Sequence, residues 1–301
     1  MKRITVIALF FVSISLTHAQ NAQGVFKSPY FQQFLKSTTY AVRTGDSLFD
    51  AEVEKSMAKH WKVTPYKIID EKEFKSSVKN PANSFLVLTS LPIKYRTRTA
   101  EITNTRTMLH VIMGCPDYPK LCGGDYINNS LAWGDWNSPV EMDAEEGVLP
   151  LYYLVQNQIN GMHFCLESVK KDKVDFSNKS ILTNNFHAKY FSKGASALKK
   201  KTLYIVKAEM ESAIDLVKAA KSYLYKFKIV TEEDIVDAIK REDKNVVYML
   251  VRVQYGPAFY DIETHRCIGG INYSSNYGPH LFLQTKDFKD IADFVKNSEG
   301  E

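Results

Sequence analysis

The chain has 301 residues, of which 45% are hydrophobic and 24% are charged, a composition that is ordinary for a globular protein. Its formal net charge of +5 is too small to indicate a nucleic-acid partner. Length alone allows one large domain or two smaller ones.

Residues 1–19 have the features of a secretory signal peptide. Two basic residues precede an apolar run of secretory length, Ile4 to Leu16, and Thr17-His18-Ala19 supplies the small residues of a cleavage site. Cleavage after Ala19 removes two positive charges and no negative ones, which leaves a net charge of +3. Because no later run reaches about 18 apolar residues, we expect a periplasmic or secreted protein that does not span a membrane.

Strands and helices are predicted to alternate after a weakly ordered lead-in at residues 20–33. Thr38 to Arg43 is rich in residues that favour strands, and Gly45-Asp46-Ser47 ends this run and offers a helix cap. The helix is indicated by apolar residues that recur every four positions, namely Phe49, Val53, Met57 and Trp61. A second strand is predicted at Tyr66 to Ile69.

The stretch from Tyr66 to Leu88 is similar to the stretch from Phe227 to Met249, and the two align without a gap. Each stretch predicts a strand, a capped helix and a second strand. Asp70 caps the helix in the first copy, and Thr231 takes the same position in the second. Only four residues are identical between the two stretches, so the agreement of the predicted elements is the stronger evidence for an internal repeat.

Both copies are predicted to continue with two strands and a helix. In the first copy, Tyr95 to Met113 forms two strands joined near Asn104-Thr105, and a helix covers Leu149 to Ile159. The counterparts in the second copy are Gln254 to Tyr273 and Asp287 to Lys296. The predicted fold class is therefore α/β (α+β), with two tandem related β-α-β-α-β-β-β-α modules.

The first module is predicted at 34–166 and the second at 201–297, with a connection at 167–200 and a tail at 298–301. The connection is rich in Lys, Asn and Ser. The first module also contains an insertion at 114–148 that has no counterpart in the second. Because this insertion holds two cysteines and two tryptophans, a local function is more strongly indicated there than in the repeated stretch.

The four cysteines permit two disulfide bonds in an exported protein, although the sequence does not fix their pairing. Cys115 and Cys122 enclose six residues with two prolines. This spacing suits a small disulfide loop, which would contribute on the order of 2–3 kcal/mol. Cys165 and Cys267 would form a second disulfide or remain separate thiols.

The segments His163-Phe164-Cys165 and His265-Arg266-Cys267 share a His-x-Cys pattern. On β-strands, residues two apart lie on the same face, so the segments could form a zinc site if they met. Its ligands would be His163, Cys165, His265 and Cys267. Cysteines of exported proteins are more often oxidised, and we therefore expect no metal and no other cofactor.

The candidate binding residues are aromatic and lie in the insertion: Trp133, Trp136, Tyr118 and Tyr126. Aromatic side chains in a loop can form a recognition surface for protein or sugar. They can equally pack the loop onto the body of the protein. The sequence leaves both alternatives open.

Familiar catalytic signatures are missing from the sequence. It contains no G-x-S-x-G elbow, no H-E-x-x-H motif, no Walker loop and no G-x-G-x-x-G. Acidic residues are plentiful, but no pair stands out for acid–base chemistry. These absences favour a non-enzymatic protein without deciding whether the chain is an enzyme.

The order of the predicted elements resembles the small α/β modules of bacterial envelope proteins, such as the N-terminal domain of TolB and the CsgG-like assembly factors. The segments that carry the resemblance are TTYAVR, YKIID and SFLVL in the first half and TLYIV, FKIV and VVYMLVRV in the second. The resemblance covers about residues 34–297 and lacks a diagnostic motif, so it transfers no functional residue. The MKR start and the Ala-Gln junction likewise resemble exported proteins of Bacteroidetes.

The resemblance implies a role in assembly, sensing or scaffolding in the cell envelope. The first hypothesis is therefore an exported non-enzymatic protein that binds an envelope or secreted protein partner. The alternative is a secreted hydrolase or carbohydrate-binding protein that uses the loop at 114–148. The sequence does not indicate an oligomeric state.

Overall fold

A computed structural model describes residues 23–25, 30–96, 101–118, 132–136, 151–171, 193–252, 256–271 and 282–298. Within these ranges the chain forms two β-sheets with helices packed on their faces, which confirms the predicted α/β class. The predicted signal peptide at 1–19 lies outside the described residues.

The first sheet lies in the first half of the chain and contains six strands. They are β1 (Gln23–Val25), β2 (Thr38–Val42), β3 (Tyr66–Ile69), β4 (Asn83–Arg96), β5 (Glu101–Met113) and β6 (Ala132–Trp136). Their order across the sheet is β1-β6-β5-β4-β2-β3. Strands β2, β3 and β4 are parallel, and the remaining pairs are antiparallel. The helices of this half are α1 (Phe31–Phe34), α2 (Ser47–His60), α3 (Glu71–Ser77) and α4 (Leu151–Lys171).

The second sheet contains five strands in the order β11-β10-β9-β7-β8. They are β7 (Thr202–Val206), β8 (Phe227–Val230), β9 (Val246–Arg252), β10 (Gly256–Asp261) and β11 (Arg266–Gly270). The helices are α5 (Leu216–Ser222), α6 (Glu232–Lys240) and α7 (Asp287–Asn297), with short 3₁₀ turns at Lys193–Lys199 and Lys207–Glu209. The order and the pairing directions of these strands match those of β6-β5-β4-β2-β3 in the first sheet.

The predicted helix caps are confirmed. The carboxylate of Asp70 accepts a hydrogen bond from the Glu73 amide at 2.8 Å, at the start of α3. Thr231 caps α6 through reciprocal hydrogen bonds with Asp234, and Asp46 caps α2. These side chains satisfy amide groups that have no partner within their own helix.

The prediction of a strand break near Asn104-Thr105 is wrong. Strands β4 and β5 pair continuously up to Arg96 and Glu101, so their connection lies between these two residues. Asn104 favours a turn by its own propensity. Its place in the continuous backbone ladder, opposite Ile93 of β4, keeps it extended against this local preference.

The predicted insertion at 114–148 contributes a strand to the first sheet. Strand β6 pairs with β5 on one side and with β1 on the other, for example through His110 and Gly24 opposite Trp133. It occupies the same position in its sheet as β11 does in the second sheet. The insertion therefore has a structural counterpart at 132–136, although the sequences AWGDW and RCIGG share no identical residue.

Two segments that were predicted to be irregular contribute to the core. In the lead-in, Phe31 is buried, and β1 forms the edge of the first sheet. In the predicted connection, α4 continues to Lys171, and Ala195 and Leu198 are buried. Burial of these apolar side chains stabilises the described parts of both segments.

Both sheets share one hydrophobic core. The largest buried cluster contains residues of both sheets and of α2, α4 and α6, which therefore form a helical layer between the sheets. Helix α3 covers the other face of the first sheet with Phe74 and Val78, and α5 and α7 cover the other face of the second. Helix α4 is thus held from both sides. No helix in the described ranges combines the length and apolar character needed to cross a membrane.

Candidate functional site

Helix α4 contacts the second sheet through polar groups as well as apolar ones. The amide of Asn157 donates a hydrogen bond to the hydroxyl of Tyr248 in β9, and both side chains are buried. Three residues further along, the amide of Asn160 donates to the carbonyl of Thr264 at 2.5 Å. Because unpaired buried polar groups are costly, these hydrogen bonds fix the position of α4 on the second sheet.

The turn between β10 and β11 is stabilised by a buried ion pair. Lys201 Nζ lies 2.6 Å from the carboxylate of Asp261, and the two side chains are only 14% and 2% exposed. The other carboxylate oxygen accepts a hydrogen bond from the Thr264 hydroxyl at 2.8 Å. His265 then has a φ of +46°, which non-glycine residues rarely adopt. The turn therefore holds Thr264, His265 and Arg266 in a fixed position opposite α4.

A cavity of about 480 Å³ lies between α4 and this turn. Its volume falls in the range typical of sites for small molecules. The lining residues are Asn160, His163, Phe164, Glu167, Ser168 and Lys171 of α4, with Thr264 and Arg266 opposite them. The cavity therefore brings together polar and charged groups from both halves of the chain.

The guanidinium of Arg266 has an aromatic partner but no acidic one within the described ranges. Its central carbon lies 4.0 Å from the ring centroid of Phe164, a cation–π contact. Glu167, the acidic residue of the lining, pairs with Lys170 at 3.1 Å. Neither Arg266 nor Lys171 forms an ion pair with another described residue. Within the described ranges, the charges of Arg266 and Lys171 in the cavity therefore have no ion-pair partner.

Three histidines lie together beside this cavity. The rings of His60, at the end of α2, and His265 are 5.5 Å apart between their centroids. His163 lines the cavity itself. Lys59 Nζ lies 3.5 Å from His265 Nε2 and 2.8 Å from the carboxylate of Glu242. The three imidazole rings and the Lys59–Glu242 ion pair therefore lie together where α2, α4 and the β10–β11 turn meet.

The environment lowers the pKa of all three histidines. Burial is the main cause at His60, where it lowers the pKa to about 4, and the positive charges of His265 and Lys59 act in the same direction. Burial also lowers the pKa of His163 and of His265. The imidazoles are therefore neutral at pH 7 and serve as hydrogen-bond partners. His163 Nδ1, for example, accepts a hydrogen bond from the Lys62 amide at 3.4 Å.

The predicted zinc ligands His163, Cys165, His265 and Cys267 do not form a metal site. The prediction placed both segments on strands, but residues 163–165 belong to α4. On a helix, residues two apart point about 200° away from each other. His163 accordingly lines the cavity whereas Cys165 is buried in the core. Among the described residues, no group of three or more His, Cys, Asp or Glu could hold a metal ion.

Cys165 and Cys267 are both buried free thiols, so the predicted disulfide between them is not formed and the alternative of separate thiols is found. The Cys267 thiol donates a hydrogen bond to the Gly269 carbonyl at 3.4 Å. Burial raises the pKa of Cys165, so its thiol is protonated at neutral pH and has little reactivity. Cys115 is buried, whereas Cys122 lies outside the described residues, and their disulfide stays a prediction.

Among the predicted binding residues, Tyr118 contributes to the core of the first sheet. Its ring meets that of Phe74 edge to face, with centroids 5.7 Å apart, which favours the packing alternative for this residue. Trp133 and Trp136 belong to β6 and not to a loop. Tyr126 lies outside the described residues, and a recognition surface at these aromatic residues stays a prediction.

Sequence reasoning missed Arg266, Asn160 and His60 as members of a site. One signal was present, because the His-x-Cys pattern marks both segments that meet at the cavity. The contact that forms the cavity wall is made by their middle residues, Phe164 and Arg266. The His-x-Cys pattern therefore marks two segments that do meet, although they meet through a cation–π contact and not through a metal ion.

No protein-family model matches the chain, and no curated protein or solved structure matches it significantly. The resemblance to envelope modules therefore stays a prediction. The function has to be argued from the chemistry of the cavity and of its surroundings.

Proposed function

We propose that this chain is an exported, non-enzymatic α/β protein that binds another component of the bacterial cell envelope and acts there in scaffolding or assembly. The cavity between α4 and the β10–β11 turn is the surface that contacts this component. The observation that carries the proposal is Arg266, which lies on an aromatic ring in a cavity of ligand size without an acidic partner in the described ranges.

The chemistry of the cavity supports binding more than turnover. Nucleophilic catalysis needs a base that activates a hydroxyl or a thiol, and glycoside hydrolysis needs two carboxylates. In this cavity the imidazole of His163 accepts a hydrogen bond from a backbone amide. Among the described lining residues Glu167 is the single carboxylate, and an ion pair already engages it.

The proposal includes two tandem related modules. The matching order and pairing directions of five strands in each sheet support their relationship. The same use of a capping residue before α3 and α6, at Asp70 and Thr231, supports it as well. If the modules are related, the cavity lies at their junction, which is a common position for binding sites.

Affinity capture from a bacterial envelope extract tests the proposal. The bait is the exported full chain, compared with Arg266→Met and with the control Lys289→Met, which changes an exposed lysine on α7. We expect the wild type and the control to recover the same partner, and Arg266→Met to recover at least about tenfold less. Equal recovery by Arg266→Met would contradict a partner site at the cavity. Turnover of a small substrate by the pure chain, with no partner recovered, would contradict the non-enzymatic role.

A further inference from the structure

The charge of Arg266 has no counter-ion among the described residues, although the side chain is partly removed from water. The residue is half-buried, and no described carboxylate pairs with it. A charge that is partly removed from water and not compensated is destabilising. An anionic group that enters the cavity would reduce this penalty and thereby stabilise the complex.

The contact with Phe164 favours a planar, two-oxygen anion. The central carbon of the Arg266 guanidinium lies over the Phe164 ring, 4.0 Å from its centroid. The guanidinium is planar, and a pair of its N–H donors matches the two oxygens of a carboxylate. Lysine could not offer this fork, because its ammonium group is a compact point charge.

The other charges of the cavity favour an anion with a single negative charge. Lys171 adds one positive charge to that of Arg266, while Glu167 adds a negative one that Lys170 already engages. The lining residues of α4 extend to its C-terminal end, where the helix dipole places partial negative charge. This environment is unfavourable for a doubly charged phosphate.

We infer that the cavity binds the carboxylate of a small organic molecule or of a peptide C-terminus, with Arg266 as its two-pronged anchor and Lys171 as a second positive charge. The hydroxyl of Ser168 and the imidazole of His163 line the same cavity and are placed to contact the body of the ligand. This inference rests on the proposed function, because it names the ligand class of the same site.

Binding of matched probes to the purified full chain tests the inference. One arm compares D-glucuronate with D-glucose, and the other compares a short peptide with a free C-terminus with its amidated form. Binding is measured by calorimetry and by NMR shifts of the amides at the cavity. We expect one carboxylate probe to bind saturably, and its neutral counterpart to bind at least about tenfold more weakly. The arm that binds distinguishes the two sources.

Variants at Arg266 test the anchor. Arg266→Met keeps a long apolar side chain beside Phe164 but removes the charge, and should abolish the preference for the carboxylate probe. Arg266→Lys keeps the charge but not the fork, and should weaken binding by about tenfold. Lys289→Met, on α7, should bind like the wild type. Thermal unfolding of each variant shows whether a loss of binding reflects a loss of folding.

Several results would overturn the inference. They are equal affinity for charged and neutral probes, tightest binding of inorganic phosphate, wild-type binding by Arg266→Met, and no binding of either carboxylate at about 10 mM. Failure of the inference is distinguishable from failure of the proposed function. Capture of a partner that depends on Arg266, without binding of either probe, would retain the function and reject the carboxylate class. Carboxylate binding by the pure chain, without capture of any partner, would do the reverse.

Discussion

Acid is expected to destabilise this protein through His60. Burial lowers its pKa to about 4 in the folded chain, whereas an unfolded histidine has a pKa of about 6.5. Between these values the unfolded chain binds a proton that the folded chain excludes, which lowers the free energy of unfolding. The stabilisation is therefore complete above about pH 6.5 and is lost progressively as the pH falls towards 4.

The groups that face His60 come from three elements and oppose its protonation. Lys59 and Lys62 lie at the end of α2, His163 lies on α4, and His265 comes from the β10–β11 turn. Their charges add to the effect of burial. On the side of α4, Gln156 Nε2 lies 2.9 Å from His60 Nε2. This amide can serve the neutral imidazole in either role, as donor or acceptor.

The size of the effect follows from the difference in pKa. A change from 6.5 to about 4 is about 2.5 pH units, and at 1.36 kcal/mol each this gives an upper limit of about 3.4 kcal/mol. The ring is only half-buried, and solvent screens its interactions with the charged groups around it. We therefore expect His60 to account for about 1–2 kcal/mol of the stability lost in acid.

Chemical unfolding of the wild type and of His60→Gln at about pH 7.5 and pH 4.5 measures this contribution. Glutamine does not titrate, and its amide can still pair with Gln156. The loss of stability between the two pH values should be about 1–2 kcal/mol smaller in the variant. Carboxylates titrate in both proteins and cancel in the comparison. Lys289→Gln should show the wild-type pH dependence, and the same dependence in His60→Gln would refute the reasoning.

Three further substitutions can be measured in the same way: two should lower the free energy of unfolding and one should raise it. Gly114→Ala should destabilise the protein by more than about 2 kcal/mol, because the added Cβ would lie 2.0 Å from the Asn80 carbonyl oxygen. A neutral effect would show that the backbone at this turn moves to make room for the Cβ. Glu242→Gly should stabilise the protein by about 0.5–1 kcal/mol, because Glu242 has a φ of +50° after α6, which glycine adopts without strain. The ion pair that the substitution removes is exposed and contributes little, and a loss of stability would contradict this prediction. Asp261→Ala should destabilise by about 3 kcal/mol, because it removes the most buried partner of Lys201, and an unchanged stability would show that the pair contributes nothing.

Elements with local signals could be predicted from the sequence. The caps at Asp70 and Thr231 and the buried positions Phe49, Val53 and Met57 of α2 were identified from residue type and spacing alone. Such signals depend on residues within one or two turns of each other. They need no knowledge of what packs against the element.

The end of α4 could not be predicted in this way. Asn160-Gly161 has the composition of a helix end, which agrees with the predicted limit at Ile159. The helix nevertheless continues to Lys171, because both sheets bury it, and this burial exceeds the cost of one glycine. The zinc site that was considered and not favoured also required residues 163–165 to be extended, whereas they are helical in α4.

The candidate site was harder to predict than the helix end, because its residues are distant from each other in the sequence. Phe164 and Arg266 meet only because α4 packs between the two sheets. His60 joins them from the end of α2. Each of these residues, taken alone, is an ordinary packing or surface residue, and the site arises from the tertiary arrangement of α2, α4 and the β10–β11 turn.

His163 should link proton binding to carboxylate binding. Its ring lines the cavity, and its Nδ1 accepts the hydrogen bond from the Lys62 amide. A carboxylate in the cavity would favour the protonated ring and raise its pKa from the value that burial has lowered. By linkage, the carboxylate must then bind more tightly as the pH falls.

The increase in affinity should be limited at lower pH. Protonation removes the lone pair of Nδ1, so the ring can accept the hydrogen bond from the Lys62 amide only while it is neutral. The acid-induced loss of stability at His60 also grows as the pH approaches 5. We therefore expect the affinity for the carboxylate probe to rise from about pH 7.5 to about pH 6 and to fall again below about pH 5. His163→Gln should remove the rise while retaining binding at neutral pH. A rise of the same size in that variant would show that the linkage does not run through His163.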